Sequence, residues 1–200
     1  MTLLDWRRRV ADLYDEVRSE PDPRRAWDRW RAVRDELIGS HPQSPLLPEH
    51  CEGFAGVPYF EYDPAFRVTG VLVRSEPVDL DIATSRWSSY RFTRFAKAEF
   101  ELAGRQLSLD CFWLESYAGG LFLPFGDTTN GVTSYAAGRY LLDTAKGADL
   151  GSTEDGLVLD FNFAFNPSCA YHPRWVCPLA PIDSRLPVAV EAGERVQQQR

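Results

Sequence analysis

The stretch from Tyr90 to Leu102 restricts the fold of this chain most strongly, because its apolar and polar residues alternate. Apolar side chains occupy one face of the predicted strand, and charged or hydroxyl side chains occupy the other. The first face holds Tyr90, Phe92, Ala96, Ala98, Phe100 and Leu102, and the second holds Arg91, Thr93, Lys97, Glu99 and Glu101. A period of two residues is typical of a β-strand that buries one face. Phe95 is the exception to the pattern.

Tight turns separate this strand from further short strands. Gly104-Arg105 suits a two-residue hairpin loop, and Asn130-Gly131 is the strongest hairpin signal in the chain. The other strands are predicted around Val71–Val73, Leu80–Ile82, Leu107–Trp113, Leu121–Phe125, Thr133–Leu142, Leu157–Phe163 and Leu186–Val190. Consecutive short strands joined by tight turns predict an antiparallel β-barrel or a strongly curled β-meander.

Two amphipathic helices are predicted before the strands. The first begins at a Thr2–Asp5 capping box. The second begins at Asp22-Pro23, a cap followed by a first-turn proline, and ends at Gly39. Its apolar face comprises Ala26, Trp27, Trp30, Val33, Leu37 and Ile38. We therefore predict an α+β fold in which both helices pack against the barrel or meander.

The chain divides by composition into two parts of one compact unit. Residues 1–64 hold the helices and a proline-rich connection, and residues 65–200 form the β-rich, barrel-like body. A formal charge of −7 disfavours nucleic acid as a partner, because a phosphate backbone attracts a basic surface. No apolar run resembles a secretory signal or a membrane span. We expect a cytoplasmic protein without membrane partners, with reduced cysteines.

The segment around Cys169, His172 and Cys177 is the first candidate for chemistry. A structural zinc site needs four ligands and the chain has no CxxC pair, so we expect no metal and no cofactor. The purified protein should carry no stoichiometric zinc by elemental analysis. A Cys169–Cys177 disulfide and a Cys169–His172 thiolate–imidazole pair are the alternatives, and buried free thiols are the default interpretation.

Polar residues on two predicted strands are the second candidate. Asp160 and Asn162 share one face of their strand, and Tyr135 and Arg139 share one face of another. If both faces line an interior, Arg139 must meet Asp160, Asp127 or an anionic ligand, because buried charges are paired. The alternatives are that both faces meet solvent or form a structural network.

Four segments resemble a known family. FGDTTNGVTSYAAGRYL (residues 125–141), LDFNFAFNPSCAYHPRWVCPL (residues 159–179), SPLLPEH and GVPYFEYDPAFR resemble the bacterial and archaeal domain-of-unknown-function family 1684. The resemblance covers nearly the whole chain and implies N-terminal helices with a β-rich body, but no established activity. The family pattern is matched at Asp127, Thr133, Tyr135, Gly138, Arg139, Tyr140, Asp160, Asn162, Asn166, Pro167, Cys169, Ala170, Tyr171, Pro173, Cys177 and Pro178.

The chain departs from the family pattern at two positions. Gly126 stands where an arginine is usual, and Ser184 stands where an asparagine is usual. His172 falls where the family varies, which weakens both interpretations that need it, the metal site and the thiolate–imidazole pair. It leaves the polar group around Arg139 unaffected.

These observations favour a small-molecule-binding β-barrel with an arginine-centred polar pocket for a small anionic ligand, and they leave open whether it is an enzyme. The candidate ligand-binding residues are Arg139, Tyr135, Asp160, Asn162, Asp127, Asn166 and Tyr171. The first alternative is a non-catalytic structural or interaction module that presents Trp27 or Trp30 to a partner. The second is a hydrolase-like enzyme that uses Cys169 or Asp160. The oligomeric state is not predicted.

Overall fold

Two long helices and one short helix occupy the first quarter of the chain. The computed structural model describes residues 1–115 and 117–196, and its helices are α1 (Thr2–Ser19), α2 (Pro23–Ser40) and α3 (Pro48–Cys51). Asp22 caps α2 as predicted, since its side chain accepts hydrogen bonds from two backbone N–H groups of the first turn. The predicted capping box of α1 does not form, because Met1 occupies the cap position without a side-chain hydrogen bond. Gly39 lies inside α2, which ends one residue later.

The apolar face of α2 packs against the sheet. All six residues of its predicted stripe are buried. Trp27 donates from Nε1 to the carbonyl oxygen of Asn162 at 2.9 Å, and the Trp30 ring lies against Phe163 with centroids 5.3 Å apart. Trp27 and Trp30 are therefore core residues, and the alternative in which they are presented to a partner is wrong.

A seven-stranded sheet forms the rest of the fold. Its strands are β1 (Arg67–Ala83), β2 (Ser89–Leu102), β3 (Arg105–Leu114), β4 (Leu121–Phe125), β5 (Arg139–Asp143), β6 (Ser152–Thr153) and β7 (Gly156–Asp160). They lie in the order β5-β4-β3-β2-β1-β7-β6, and each neighbouring pair is antiparallel. The α+β class and the curled antiparallel meander are confirmed.

The predicted barrel is wrong, because the two edge strands do not pair. β5 and β6 end the sheet on opposite sides, and β7 pairs with β1 only over Arg67–Gly70. Helices α1 and α2 cover the buried face instead, and one core cluster joins their side chains to those of β2 through β5 and β7. Helix packing thus replaces strand closure as the means of burying the sheet.

Several strand boundaries also differ from the prediction. β1 is one long strand rather than two short ones, with a shift of register between Arg74 and Val78. Phe95 is the extra residue of a β-bulge opposite β3, which explains its departure from the alternation. The β2–β3 turn is Ala103-Gly104, one residue earlier than predicted, with φ angles of 52° and 69°. Positive φ at both turn positions is the geometry of the tightest hairpins.

Three predicted strands are shorter than expected or do not form. The chain reaches β5 only at Arg139, because Asn130 holds the preceding turn by accepting from the Asp127 N–H and donating to the Tyr135 carbonyl. Asn130-Gly131 therefore lies in a compact loop and joins no hairpin. β7 ends at Asp160 and continues as a short 3-10 helix over Phe161–Phe163. No strand forms over the described residues 186–190.

Within the described ranges, no helix is long and apolar enough to cross a membrane. The division of the chain at residue 64 stays a prediction. Backbone hydrogen bonds do connect its two sides: Phe60 donates to the carbonyl of Gly193, and Arg195 donates to the carbonyl of Pro58.

Candidate functional site

The seven predicted site residues fall into three separate groups, and the first surrounds Arg139. The Arg139 side chain is 0% exposed, and its Nη2 donates to the Asp127 carboxylate at 2.9 Å and to the Val190 carbonyl at 2.9 Å. Nη1 donates to the carbonyls of Ala192 and Glu194. Burial lowers the pKa of Arg139, and the Asp127 carboxylate counteracts the shift, so the guanidinium stays charged.

This arrangement corrects the sequence-based expectation for Arg139. Both terminal nitrogens are committed to protein acceptors, and the side chain has no solvent contact through which an anion could reach it. Asp127 is committed as well, because its other oxygen accepts from the backbone N–H groups of Thr129 and Val190. Arg139 and Asp127 therefore fasten residues 190–194 to β5, which is a structural role.

Asp160 and Asn162 form the second group at the end of β7. The Asp160 carboxylate accepts from Arg67 Nη1 at 3.2 Å and from Asn162 Nδ2 at 2.8 Å. The Asn162 amide also exchanges two hydrogen bonds with the backbone of Asp63. Burial raises the pKa of Asp160 against the opposing effect of these donors. Because the Asp160 side chain is fully buried and hydrogen-bonded, it is not placed to act as a hydrolase nucleophile or base.

Tyr135, Asn166 and Tyr171 form the third group, and they line an open cleft of about 750 Å³. We call it the C-terminal cleft because Arg195 and Val196 form one wall. Residues of α3 and of the chain that follows it also line the cleft. The remaining residues that line the cleft are Leu46, Glu49, His50, Glu52, Gly53, Phe54, Ala55, Val57, Pro58 and Ala170.

A buried carboxylate that was not predicted from the sequence forms hydrogen bonds with two residues that line this cleft. Glu194 is 0% exposed and accepts from Asn166 N at 2.6 Å and from the Tyr171 hydroxyl at 3.0 Å. Arg34 of α2 donates to its other oxygen. Burial alone disfavours a charged Arg34, but the Glu194 carboxylate outweighs it and raises the pKa of Arg34. The ion pair thus ties α2 to two of the residues that line the cleft.

Both partners of this ion pair carry a sequence signal. Arg34 stands four residues after Trp30 and four before Ile38, on the apolar stripe of α2. Glu194 continues the alternation of Leu186, Val188, Val190 and Ala192 into a charged residue. A charged residue at an apolar period position predicts a buried, paired charge.

Arg195 is the cation at the cleft wall. Its guanidinium carbon lies 5.1 Å from the centroid of the Phe60 ring, and its backbone N–H donates to Pro58. Among the residues that the structure describes, Arg195 forms no salt bridge within 4.0 Å. Its backbone is held in place while its charge has no carboxylate partner there.

Asn166 offers an unused acceptor at the same wall. Its side chain is almost fully buried, and Nδ2 donates to the Arg195 carbonyl at 3.1 Å. Within the described part of the chain, Oδ1 has no hydrogen-bond partner. Asn166 also borders a smaller cavity of about 100 Å³ between α1, α2 and the sheet, which we call the helix–sheet cavity. Buried side-chain acceptors usually have a hydrogen-bond partner.

The cysteines of the Cys169–Cys177 segment are free thiols. The Tyr135 hydroxyl lies 3.7 Å from Cys169 Sγ, and the Cys169 N–H donates to Cys177 Sγ at 3.3 Å. A hydrogen bond with the Cys177 thiol lowers the pKa of Cys169 to about 6 and raises that of Cys177. His172 accepts from the backbone N–H of Arg174 through Nδ1. In the described ranges, no three His, Cys, Asp or Glu side chains group as metal ligands.

The meander and its cleft define an α+β protein with room for a small molecule beside its C-terminal segment. The family model described as "Protein of unknown function (DUF1684)" matches residues 52–195. The chain therefore belongs to this family, as its motifs indicated. The matched range holds all seven predicted site residues together with Glu194 and Arg195. No curated protein matches the chain.

A solved structure shows a related fold. The solution NMR structure of an uncharacterized protein from Haloarcula marismortui is 37% identical, with a TM-score of 0.61. The similarity covers 82% of this chain and 89% of that chain. It supports the fold and the family, and it brings no activity with it.

Proposed function

We propose that the protein binds a small molecule with a single anionic group and an apolar body in the C-terminal cleft. The observation that carries the proposal is the Arg195 guanidinium, which lines the cleft and has no carboxylate partner within 4.0 Å in the described ranges. A carboxylate or phosphate monoester would accept from Arg195. No catalytic step is proposed.

The dimensions of the cleft suit this class of ligand. A volume of about 750 Å³ falls within the range of about 300–1,000 Å³ that is usual for small-molecule sites. Leu46, Phe54, Val57 and Val196 supply apolar surface along its walls. The helix–sheet cavity, at about 100 Å³, has space for ordered water but not for a metabolite.

The charges around the cleft limit the ligand further. Glu49 and Glu52 also line the cleft and are exposed, whereas Arg195 is the cation of its lining. Two carboxylates and one guanidinium in the same lining disfavour a polyanion and suit a ligand with one acidic group. We therefore still propose an anionic ligand, as the sequence suggested, but Arg195 and not Arg139 is the residue that binds its charge.

Retention of metabolites tests the proposal. We expect the immobilised protein to retain one or more small acids from a cell extract, identified by mass spectrometry after washing and denaturation. Arg195→Met should bind them about 10- to 100-fold more weakly, because a hydrogen bond to a charged group contributes about 1.5–3 kcal/mol. Methionine keeps much of the stem and removes the charge.

Arg91→Met is the matched control for this variant. Arg91 lies on β2, pairs with Asp79 at the surface and does not line the cleft. It should retain the same acids as the wild type. Equal retention by Arg195→Met, or no acid retained by the wild type, would contradict the proposal.

A further inference from the structure

The thiols of Cys169 and Cys177 lie near the helix–sheet cavity and the C-terminal cleft. Cys177 is buried and lines the helix–sheet cavity, while Cys169 is half-buried. Tyr135 and Ala170, which flank Cys169 in space and in sequence, line the C-terminal cleft. A small solute in the cleft can therefore approach the Cys169 side of the pair.

We infer that Cys169 and Cys177 form a redox-active dithiol that a hydroperoxide oxidises to a disulfide. The geometry that carries this inference is the contact of the Cys169 N–H with Cys177 Sγ and of the Tyr135 hydroxyl with Cys169 Sγ. The first contact holds the two residues side by side across the loop, and the second supplies a donor to a thiolate. The inference does not depend on the ligand proposed for the cleft.

The two cysteines take different roles. Cys169 is the more exposed, and the hydrogen bonds from Cys177 and Tyr135 lower its pKa to about 6, which favours its thiolate over that of Cys177. The hydrogen bond to Cys169 raises the pKa of Cys177, together with burial and the charge of the neighbouring thiolate. Cys177 therefore stays protonated and acts second.

The reaction has two steps. The Cys169 thiolate attacks the outer oxygen of the hydroperoxide, the O–O bond breaks, and a proton from solvent completes the alcohol or water that leaves. Cys169 becomes a sulfenic acid. Cys177 then loses its proton, attacks the sulfenic sulfur and expels water, which closes the disulfide. The two sulfurs together give two electrons to the peroxide, and a dithiol reductant reverses the change.

Peptide mapping of the wild-type protein is the primary test and requires no variant. Reduced protein is treated with an equimolar amount of hydrogen peroxide, and the peptides are analysed by mass spectrometry without reduction. We expect a Cys169–Cys177 cross-linked peptide that dithiothreitol removes. Cys51 and Cys111 should stay reduced and serve as internal controls, since burial raises the pKa of Cys111 to about 12. Absence of the cross-link, or equal oxidation of Cys51, would overturn the inference.

Two serine variants separate the roles. In Cys177→Ser the Cys169 sulfenic acid cannot be resolved, so dimedone should label Cys169 after peroxide treatment. In Cys169→Ser the remaining Cys177 thiol should stay unlabelled under the same conditions. Labelling of Cys177 in the second variant, or none in the first when the protein is folded, would contradict the assignment.

The pH profile tests the role of Tyr135. Between pH 8 and pH 6 the alkylation rate of Cys169 should fall only to about half, whereas that of an ordinary thiol falls on the order of 100-fold. Tyr135→Phe keeps the ring and removes the hydroxyl donor, so its profile should move to higher pH. An unshifted profile would exclude the hydroxyl as the group that stabilises the thiolate.

Discussion

Replacing Arg139 by methionine should lower the free energy of unfolding by about 3–5 kcal/mol, because it leaves the buried Asp127 carboxylate without its counter-ion. The variant also loses the hydrogen bonds to three carbonyl groups of residues 190–194. For a chain of this size the melting temperature should fall by roughly 6–20 °C. Differential scanning calorimetry or urea titration measures the effect.

Two further variants make this result specific. Arg91→Met removes an arginine whose surface partner Asp79 is 58% exposed, so the melting temperature should stay close to that of the wild type. Adding Asp127→Asn to Arg139→Met neutralises the stranded carboxylate and should restore part of the lost stability. If Arg139→Met had the same melting temperature as the wild type, Arg139 would not stabilise the fold.

Replacing Glu194 by glutamine should have the second-largest effect, a loss of about 3 kcal/mol. Glutamine keeps the shape but removes the charge that Arg34 pairs with. It also replaces one carboxylate oxygen by an amide NH2, so either the acceptor for Arg34 or the acceptor shared by Asn166 and Tyr171 is lost. The loss is at the lower end for a buried pair, because the Arg34 side chain keeps 18% exposure to solvent. Urea denaturation gives the value directly.

Glu36→Gln is the matched control, since it makes the same chemical change in a surface pair. Glu36 accepts from Arg9 at 2.7 Å, and its side chain is 59% exposed. We expect little change in stability from this variant. A loss for Glu194→Gln no larger than that for Glu36→Gln would mean that the buried pair does not hold α2 to the cleft.

Local patterns predicted much of the fold. The helical stripe of α2 and its Asp22 cap are confirmed, because the period of 3.6 residues and the capping side chain act within a few residues of each other. The alternation in β2 predicted the buried residues from Ala96 to Leu102, whereas Tyr90 is exposed and Phe92 packs in a separate cluster on the other side of the bulge at Phe95. The barrel was wrong because local alternation does not show which strands form the edges of the sheet, and the edge strands β5 and β6 do not pair.

The candidate site was harder to predict for a physical reason. Polar residues on a strand face can contact a ligand, or they can form hydrogen bonds with backbone groups that are distant in sequence. The sequence alone does not distinguish these two cases. The terminal nitrogens of Arg139 donate to carbonyls more than fifty positions later in the chain. Tyr135, Asn166 and Tyr171 were chosen with it and lie together at the cleft, but Arg195 became a candidate only once backbone hydrogen bonds placed it against Pro58.

Titration of the isotope-labelled protein with benzoate, a monoanion with an apolar body, tests ligand binding at the C-terminal cleft most directly. In proton–nitrogen NMR spectra we expect progressive, saturable shifts of the Asn166 side-chain amide and of the Arg195 signals. The shift of the Asn166 amide should disappear in Arg195→Met and remain in Arg91→Met. Shifts confined to residues outside the cleft, or none up to millimolar benzoate, would contradict the account.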